Sequence, residues 1–242
     1  MFSIFKRYPE LFIAFSEKKD GSMKILKDKE PMKKNESNRN IFLEKCGLGY
    51  ENLISAEIVH GSNVQIIAKK DGGKIVSGTD GLITKSKDIY LSITSADCLP
   101  IFLFEPEKGI IGMIHAGWRS LEKNIIRNAA RKMKDLGGKP ENILAGVGPA
   151  ICQKHYEIGP EVAKRFENYP ETVKNGGDKI FLDIKKIAES QLLDSGIKKI
   201  NIEISKECTF ELPEKYFSAR RDKPKTIEAM IAVIGIKKPY SF

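Results

Sequence analysis

Residues 89–119 read IYLSITSADCLPIFLFEPEKGIIGMIHAGWR. Three apolar, β-rich runs at 89–94, 99–104 and 110–114 are separated by polar or turn-forming residues, which predicts three strands in succession. After Gly117 the period changes. Leu121, Ile125, Ile126, Ala129, Ala130 and Met133 recur at helical spacing until Gly137-Gly138, so the third strand feeds a helix. Toward the amino terminus, 57–59, 64–68 and 81–84 are further short β-rich runs, punctuated by Asp71-Gly72-Gly73 and Ser77-Gly78. Residues 37–47 predict a short helix with Gly47 as its cap, 18–40 a polar loop, and the apolar segments around Ile4 and at 11–15 edge strands. Toward the carboxyl terminus, strands are expected at 143–147, 200–204 and 230–236, and helices at 160–168 and 183–194, the latter capped by Asp183 and ended by Gly196. Strands and helices mix without a regular βαβ repeat, internal repeat or linker. The expected fold is α/β (α+β), a single domain over residues 1–242 built of stacked helix and mixed-sheet layers.

Composition narrows the function classes. With 242 residues and 41% hydrophobic content the chain can bury a substantial core. No run approaches the roughly 18 uninterrupted apolar residues of a membrane-spanning helix, and the first ten residues turn charged before a signal peptide could form. A soluble, cytoplasmic protein without a membrane partner is expected. The formal net charge is +9, which favours anionic ligands by long-range attraction. Much of that excess is scattered lysine (Lys18, Lys19, Lys33, Lys34, Lys69, Lys70, Lys198, Lys199, Lys237, Lys238), with no arginine-rich helix or aromatic-interleaved motif. It reads as solvated surface, with no nucleic-acid partner. The four cysteines are widely spaced and include no C-x-x-C pair, so reduced thiols are expected.

Only three histidines are present, His60, His115 and His155. Two of them, with Cys98, sit at strand ends beside small or glycine residues, in VHGSNV (59–64), SADCLP (95–100) and IHAGWR (114–119). Imidazole, thiolate and imidazole suit zinc, and three protein ligands leave a fourth position for water or substrate. The separations of 38 and 17 residues exclude a compact finger but suit ligands gathered by a sheet. A Cys-His hydrolase, with Cys98 as nucleophile and His115 or His60 as base, fits the same residues, as does the bland reading of buried, hydrogen-bonded structural groups. Asp97 is a candidate orienting carboxylate or substrate acceptor. Arg119, beside Gly117-Trp118 at a helix start, suits an anion such as phosphate. Trp118 suits stacking on a flat ligand or anchoring in the core. His155, between Lys154 and Tyr156, reads as a surface or loop residue rather than a fourth ligand. Arg220-Arg221, in FSARRD (217–222), suits an anion or nearby carboxylates. The glycine-rich GVGPAIC (146–152) matches neither a dinucleotide fingerprint nor a P-loop.

In order along the chain, VHGSNV, TDGLIT, SADCLPIFLF, GMIHAGWRS, GVGPAICQKHYEIG and FSARRD resemble the "laccase domain" proteins, the YfiH/YlmD family, older descriptions of which read multicopper polyphenol oxidase. The resemblance covers the chain from about Asn38-Arg39 to the last strand. It implies a fold similar to the catalytic domain of cytotoxic necrotizing factor, and a zinc ion on His60, Cys98 and His115, copper being the other candidate metal. It also implies phosphorolysis of purine nucleosides (adenosine, inosine, guanosine, methylthioadenosine) with adenosine deaminase activity, in a monomer or homodimer. Purine nucleoside and phosphate would then be the partners, with Arg39, Arg119, Arg220, Arg221 and Trp118 as binding candidates and Asp97, Cys98 and His115 as catalytic ones. A copper cluster is disfavoured, because three histidines cannot supply its imidazoles; a hydrolase of amides or peptidoglycan precursors is the other enzymatic alternative. The chain departs from the family pattern at Ser120, where a glycine follows HAGWR, and within Thr226-Ile227-Glu228-Ala229, where a Gly-Arg pair is replaced.

Overall fold

The computed structural model describes residues 2–25 and 29–237; Met1, residues 26–28 of the polar amino-terminal stretch and residues 238–242 lie outside them. Strands are numbered in chain order. One sheet has the order β1 (Leu11–Phe15), β14 (Met230–Ile236), β6 (Tyr90–Ser95), β2 (Leu53–Ala56), β4 (Ile75–Val76). A second has the order β13 (Ile202–Ile204), β9 (Leu144–Val147), β7 (Leu99–Glu105), β8 (Ile110–Ala116), β5 (Gly81–Thr84), β3 (Val64–Ile66). A small antiparallel sheet is made by β10 (Glu157–Ile158), β12 (Lys179–Leu182) and β11 (Val173–Gly176). Both large sheets are mixed: β6 is antiparallel to β14 and parallel to β2, while β9 is antiparallel to β7 and parallel to β13.

Side-chain alternation decides the layers, because successive residues of a strand face opposite sides. Along β7, Leu99, Ile101 and Leu103 join a core that holds residues of α2 (Trp118–Glu122), α3 (Ile125–Asp135) and α5 (Ile184–Asp194). The alternate residues, Phe102 and Phe104, join Leu91, Ile93, Ala232 and Ile234 of the first sheet. The second sheet is therefore buried on both faces, which is why its strands read as continuous apolar runs. On the far side of the first sheet, Leu53, Tyr90, Ile231 and Val233 pack with Phe42 and Leu43 of α1 (Lys29–Lys45). The layer order is helix, sheet, sheet, helix. Phe102 and Phe104 are fully buried between the sheets, each contributing about 1.5–3 kcal/mol by burial. The other helices, α4 (Pro160–Ala163) and α6 (Ala219–Asp222), are single turns. Among the described residues no helix is long and apolar enough to cross a membrane.

The α/β layered architecture with mixed sheets is as expected, and so are β1, β5 to β9, β14 and the Asp183-capped α5, whose Asp183 carboxylate accepts the Lys186 N–H at 3.0 Å. Five local expectations are corrected. The segment around Ile4 is a single 3-10 turn, Ser3–Phe5, because Phe2 and Phe5 plug into the core between the sheets and no partner strand is offered there. The polar loop is helical from Lys29, so the expected short helix is the end of a longer one, with Gly47 in the left-handed region (φ 69) as its stop. Residues 57–59 are not a strand: pairing with β6 ends at β2, and the chain leaves the sheet there. The helix after Gly117 is two helices, broken at Asn124 (φ 56). The helix at 160–168 is α4 followed by a 3-10 turn, Lys164–Phe166.

Candidate active site

The three donor side chains meet at one end of the paired sheets, where the chain repeatedly passes from one sheet to the other. Cys98 lies in the link between β6 of the first sheet and β7 of the second, and His60 in the link between β2 of the first and β3 of the second. His115 stands on β8. Ile111 and Met113 face the core between the sheets, so His115, of the same parity, enters that space at the strand's end, where it is buried. The register places Leu99 opposite Ala116 and Pro100 opposite His115, which carries Cys98 to the level of Gly117. One donor atom from each of His60, Cys98 and His115 lies within 4.8 Å of the others, with His60 exposed, Cys98 half-buried and His115 buried. The two imidazoles meet edge to face at 5.0 Å.

Asp80 organises the cluster, and it was given no role from the sequence. The ladder pairs Gly81 with Ile114 and Leu82 with Met113; one step further, the His115 N–H donates to the Asp80 carbonyl at 2.8 Å. The carboxylate Oδ1 lies 3.1 Å from His115 Nδ1. The same carboxylate accepts the backbone N–H groups of His60 (2.8 Å), Gly61 (2.7 Å) and Val59 (3.3 Å). It thereby holds the left-handed turn at His60 (φ 56), a conformation unfavourable for a residue with a Cβ. Burial pushes the Asp80 carboxyl up, but His115 and the N–H donors outweigh it and hold the carboxyl below its ordinary range. TDGLIT contains Asp80, but only strand register shows that it faces the histidine.

The donor set fits a metal ion. Two imidazoles and a thiolate are zinc ligands, and a carboxylate on the second nitrogen of His115 is the partner that orients a ligating imidazole. Room for the cluster is kept by Gly117: a Cβ there would lie 2.8 Å from Cys98 Sγ and 3.6 Å from His60 Cδ2. Without a cation, burial pushes the Cys98 thiol up, yet the adjacent His115 and His60 outweigh this and bring it to about 6. His115 is pulled down by burial but raised overall, to about 9, by Cys98 and Asp80. The charges are those of a thiolate beside an imidazolium, the arrangement a cation would replace.

The cluster opens into a pocket of about 270 Å³ whose wall includes Lys24, Ser95, Asp97, Tyr156, Arg220, Ile227 and Ala229. Asp97 is buried, with φ 86, and its carboxylate does not reach a histidine ligand. It accepts the Thr209 hydroxyl (2.6 Å), the Ser218 hydroxyl (3.0 Å) and the Arg220 N–H (2.7 Å) instead. Asp97 thus ties the FSARRD segment to the loop that carries Cys98. Arg220 lies over the Tyr156 ring at 5.0 Å and donates to the Glu157 carbonyl at 2.5 Å. Burial raises the Tyr156 hydroxyl, which stays neutral. Lys24, missed in the sequence because it stands in a stretch read as polar loop, is half-buried here, and desolvation lowers its ammonium.

The structure brings together at the pocket His60, Asp97, Cys98, His115 and Arg220, but not the remaining candidates. Arg39 is buried elsewhere, donating to the Met23 and Lys24 carbonyls. Arg221 is turned away, donating to the carbonyls of Thr209, Phe210 and Tyr216 and to Asp222. Trp118 packs against the helix-side core, with the exposed Arg119 guanidinium over its ring at 4.2 Å. His155 lies in a separate cluster with Cys152 and Cys208.

The chain is 33% identical over 203 residues to "Purine nucleoside phosphorylase" of Deinococcus radiodurans, covering 83% of this chain and 77% of that protein. It is 29% identical over 190 residues to "Adenosine deaminase RL5" of an unknown prokaryotic organism, covering 73% and 72% respectively. The crystal structure of YlmD from Geobacillus stearothermophilus superimposes with a TM-score of 0.90 at 26% identity, covering 96% of this chain and 94% of that one. The sequence profile of the family described as "Multi-copper polyphenol oxidoreductase laccase" matches residues 21–237, and the chain belongs to that family.

Proposed function

We propose that this protein is a cytoplasmic, zinc-dependent purine nucleoside phosphorylase with adenosine deaminase activity, acting on adenosine, inosine, guanosine and methylthioadenosine. The observation that carries the reading is the convergence of His60, Cys98 and His115 on one point in a pocket that also presents two cationic side chains, Lys24 and Arg220. The names of the relatives support the substrate class. His60, Cys98 and His115 would hold the zinc, which supplies a Lewis acid and lowers the pKa of a water toward about 7.

In phosphorolysis a phosphate oxygen forms a bond to C1′ of the ribose while the C1′–N9 bond breaks, and the base leaves with the electron pair and takes up a proton. Lys24 and Arg220 provide positive charge for the phosphate. Asp97 fixes the Arg220 backbone, so the cation is positioned before substrate arrives. Tyr156, with Arg220 on one side, offers an aromatic surface for a flat base. Ile227 and Ala229, from the segment where the family's Gly-Arg pair is replaced, give the wall apolar side chains instead of a further cation. The test is to incubate zinc-replete and chelated protein with adenosine, with and without phosphate, and to separate the products. Phosphate-dependent release of adenine, abolished by His115→Ala, is expected; no turnover of any purine nucleoside by replete protein overturns the reading.

One observation favours a second reading. Asp80, His115 and Cys98 stand in the order carboxylate, imidazole, thiol, the arrangement of a Cys-His hydrolase. That reading requires activity without metal and its loss on alkylation of Cys98.

A further inference from the structure

Cys152, His155 and Cys208 form a second cluster, outside the pocket. His155 Nδ1 is its vertex. It lies 3.4 Å from Cys152 Sγ, 4.0 Å from Cys208 Sγ and 3.5 Å from Glu211 Oε1. The imidazole is held flat against Phe210, with ring centroids 4.3 Å apart and planes 12° from parallel, an orientation that leaves Nδ1 facing the two sulfurs. Cys208 Sγ accepts the Cys152 backbone N–H at 3.2 Å, a bond that stabilises a coordinated thiolate. One donor atom each from Cys152, His155 and Cys208 falls within 4.8 Å of the others. Tetrahedral zinc with Zn–S of about 2.3 Å and Zn–N of about 2.0–2.1 Å sets neighbouring donors about 3.5–3.8 Å apart. The three need only close by up to about 1 Å to reach it.

We infer that Cys152, Cys208 and His155 form a second zinc site that is structural rather than catalytic, with the exposed Glu211, which pairs with His155 and Lys154 and lies outside the three-donor group, turning in as the fourth donor. Four protein donors close the coordination shell, as structural sites do, and leave no position for substrate. Binding transfers the two thiol protons to solvent, so the charge of the ion is met by two thiolates and a carboxylate. A disulfide, the other chemistry open to two adjacent thiols, would leave the converged His155 without a role.

The position gives the site a purpose. Cys152 caps the 3-10 turn Gln153–His155 after β9 and His155 is its last residue, while Cys208 is joined to Ala150 by an isolated parallel bridge. The next residue after His155 is Tyr156 of the pocket wall, and the next after Cys208 is Thr209, whose hydroxyl donates to Asp97. An ion at this cluster clips together the two loops that carry those residues.

The experiment counts zinc per chain in full-length protein, loaded with zinc and then dialysed, with thiols and intact mass measured on the same samples. Cys98→Ser/His115→Ala removes two of the pocket's three donors and leaves His60 alone, so what it retains reports on the second site independently of the proposed function. One zinc per chain is expected in that variant and none when Cys152→Ser/Cys208→Ser is added. Should the added pair prevent folding, His155→Ala in the Cys98→Ser/His115→Ala background serves, with zinc affinity weakened at least about tenfold relative to that background. No zinc in the Cys98→Ser/His115→Ala protein overturns the proposal. So does an isolated protein lighter by two hydrogens and lacking two titratable thiols, which identifies a disulfide instead.

Discussion

Asp80 accepts three backbone N–H groups from residues 59–61 and faces the ring of His115, so one carboxylate fixes two of the three donors of the cluster. Asp80→Asn keeps the volume but turns an amide NH₂ toward groups that are themselves donors. The expected result is a 10–100-fold loss of zinc affinity, the range for removing the carboxylate behind a ligating histidine, with far-UV circular dichroism unchanged. Unaltered affinity by competition with a chromophoric chelator would show that Asp80 serves the fold alone. Cys98 makes a second residue-scale prediction. The sign follows from its neighbours: the imidazolium favours the anion, so the thiol ionises at lower pH than a free one. In metal-stripped protein with Cys152 and Cys208 replaced by serine, the thiolate absorbance attributable to Cys98 should rise with a midpoint near 6. In His115→Ala that midpoint should move up, and a wild-type midpoint at the ordinary value of about 8.5 would refute the pairing. The three donors were legible as residue types beside small or glycine residues in strand-end motifs. Asp80 was not, because its role depends on which strands pair and in what register, information that no local pattern carries.

Between elements, Gly117 is a point of close approach: it follows β8 and caps α2 with an extended backbone (φ −86, ψ 175) that alanine adopts without strain. Gly117→Ala therefore isolates a steric effect. Its Cβ would press on Cys98 Sγ at 2.8 Å, so the thiolate must move away from the histidines. Loss of zinc at the pocket and at least a tenfold fall in turnover are expected, with thermal stability within about 1 kcal/mol of wild type; wild-type zinc binding would mean that the cluster has slack. Asn124 makes the complementary test. It breaks the helical pattern into α2 and α3 with φ 56, ψ 44. Asn124→Ala should lose about 1 kcal/mol to the left-handed penalty while Asn124→Gly loses less, measured by urea unfolding; the opposite order would show that the side chain, and not the backbone, matters there. The apolar residues of α3 gave its position from sequence, since all of them face the core. The break at Asn124 left no such signal, because the burial stripe continues through it. The small sheet was also unreadable: β11 is polar and exposed after its first residue, and β12 is a four-residue run whose last three residues are all apolar, so neither shows the alternation that marks a half-buried strand.

Over the whole molecule, the two large sheets are held by apolar contacts along their length, with Phe102 and Phe104 at the centre, and by the donor cluster at one end. His60 and Cys98 stand on links that cross from one sheet to the other, while His115 stands within the second sheet. An ion held by all three fastens both crossings to the sheet they enter, and its binding free energy adds to folding stability because the unfolded chain keeps the donors apart. Linkage gives the size: at a free zinc concentration about one hundred times the dissociation constant, stabilisation is about 2.7 kcal/mol. For a chain of this length, with about 2–4 °C for each kcal/mol, that is a rise of roughly 5–11 °C in Tm. The experiment belongs in a Cys152→Ser/Cys208→Ser background, so that only the pocket's donors contribute. Zinc should raise the Tm there, a chelator should return it, and Cys98→Ser should lose most of the rise. An equal rise in Cys98→Ser would place the stabilising ion somewhere other than the crossings, and the pocket would then have to be explained without a metal between its histidines.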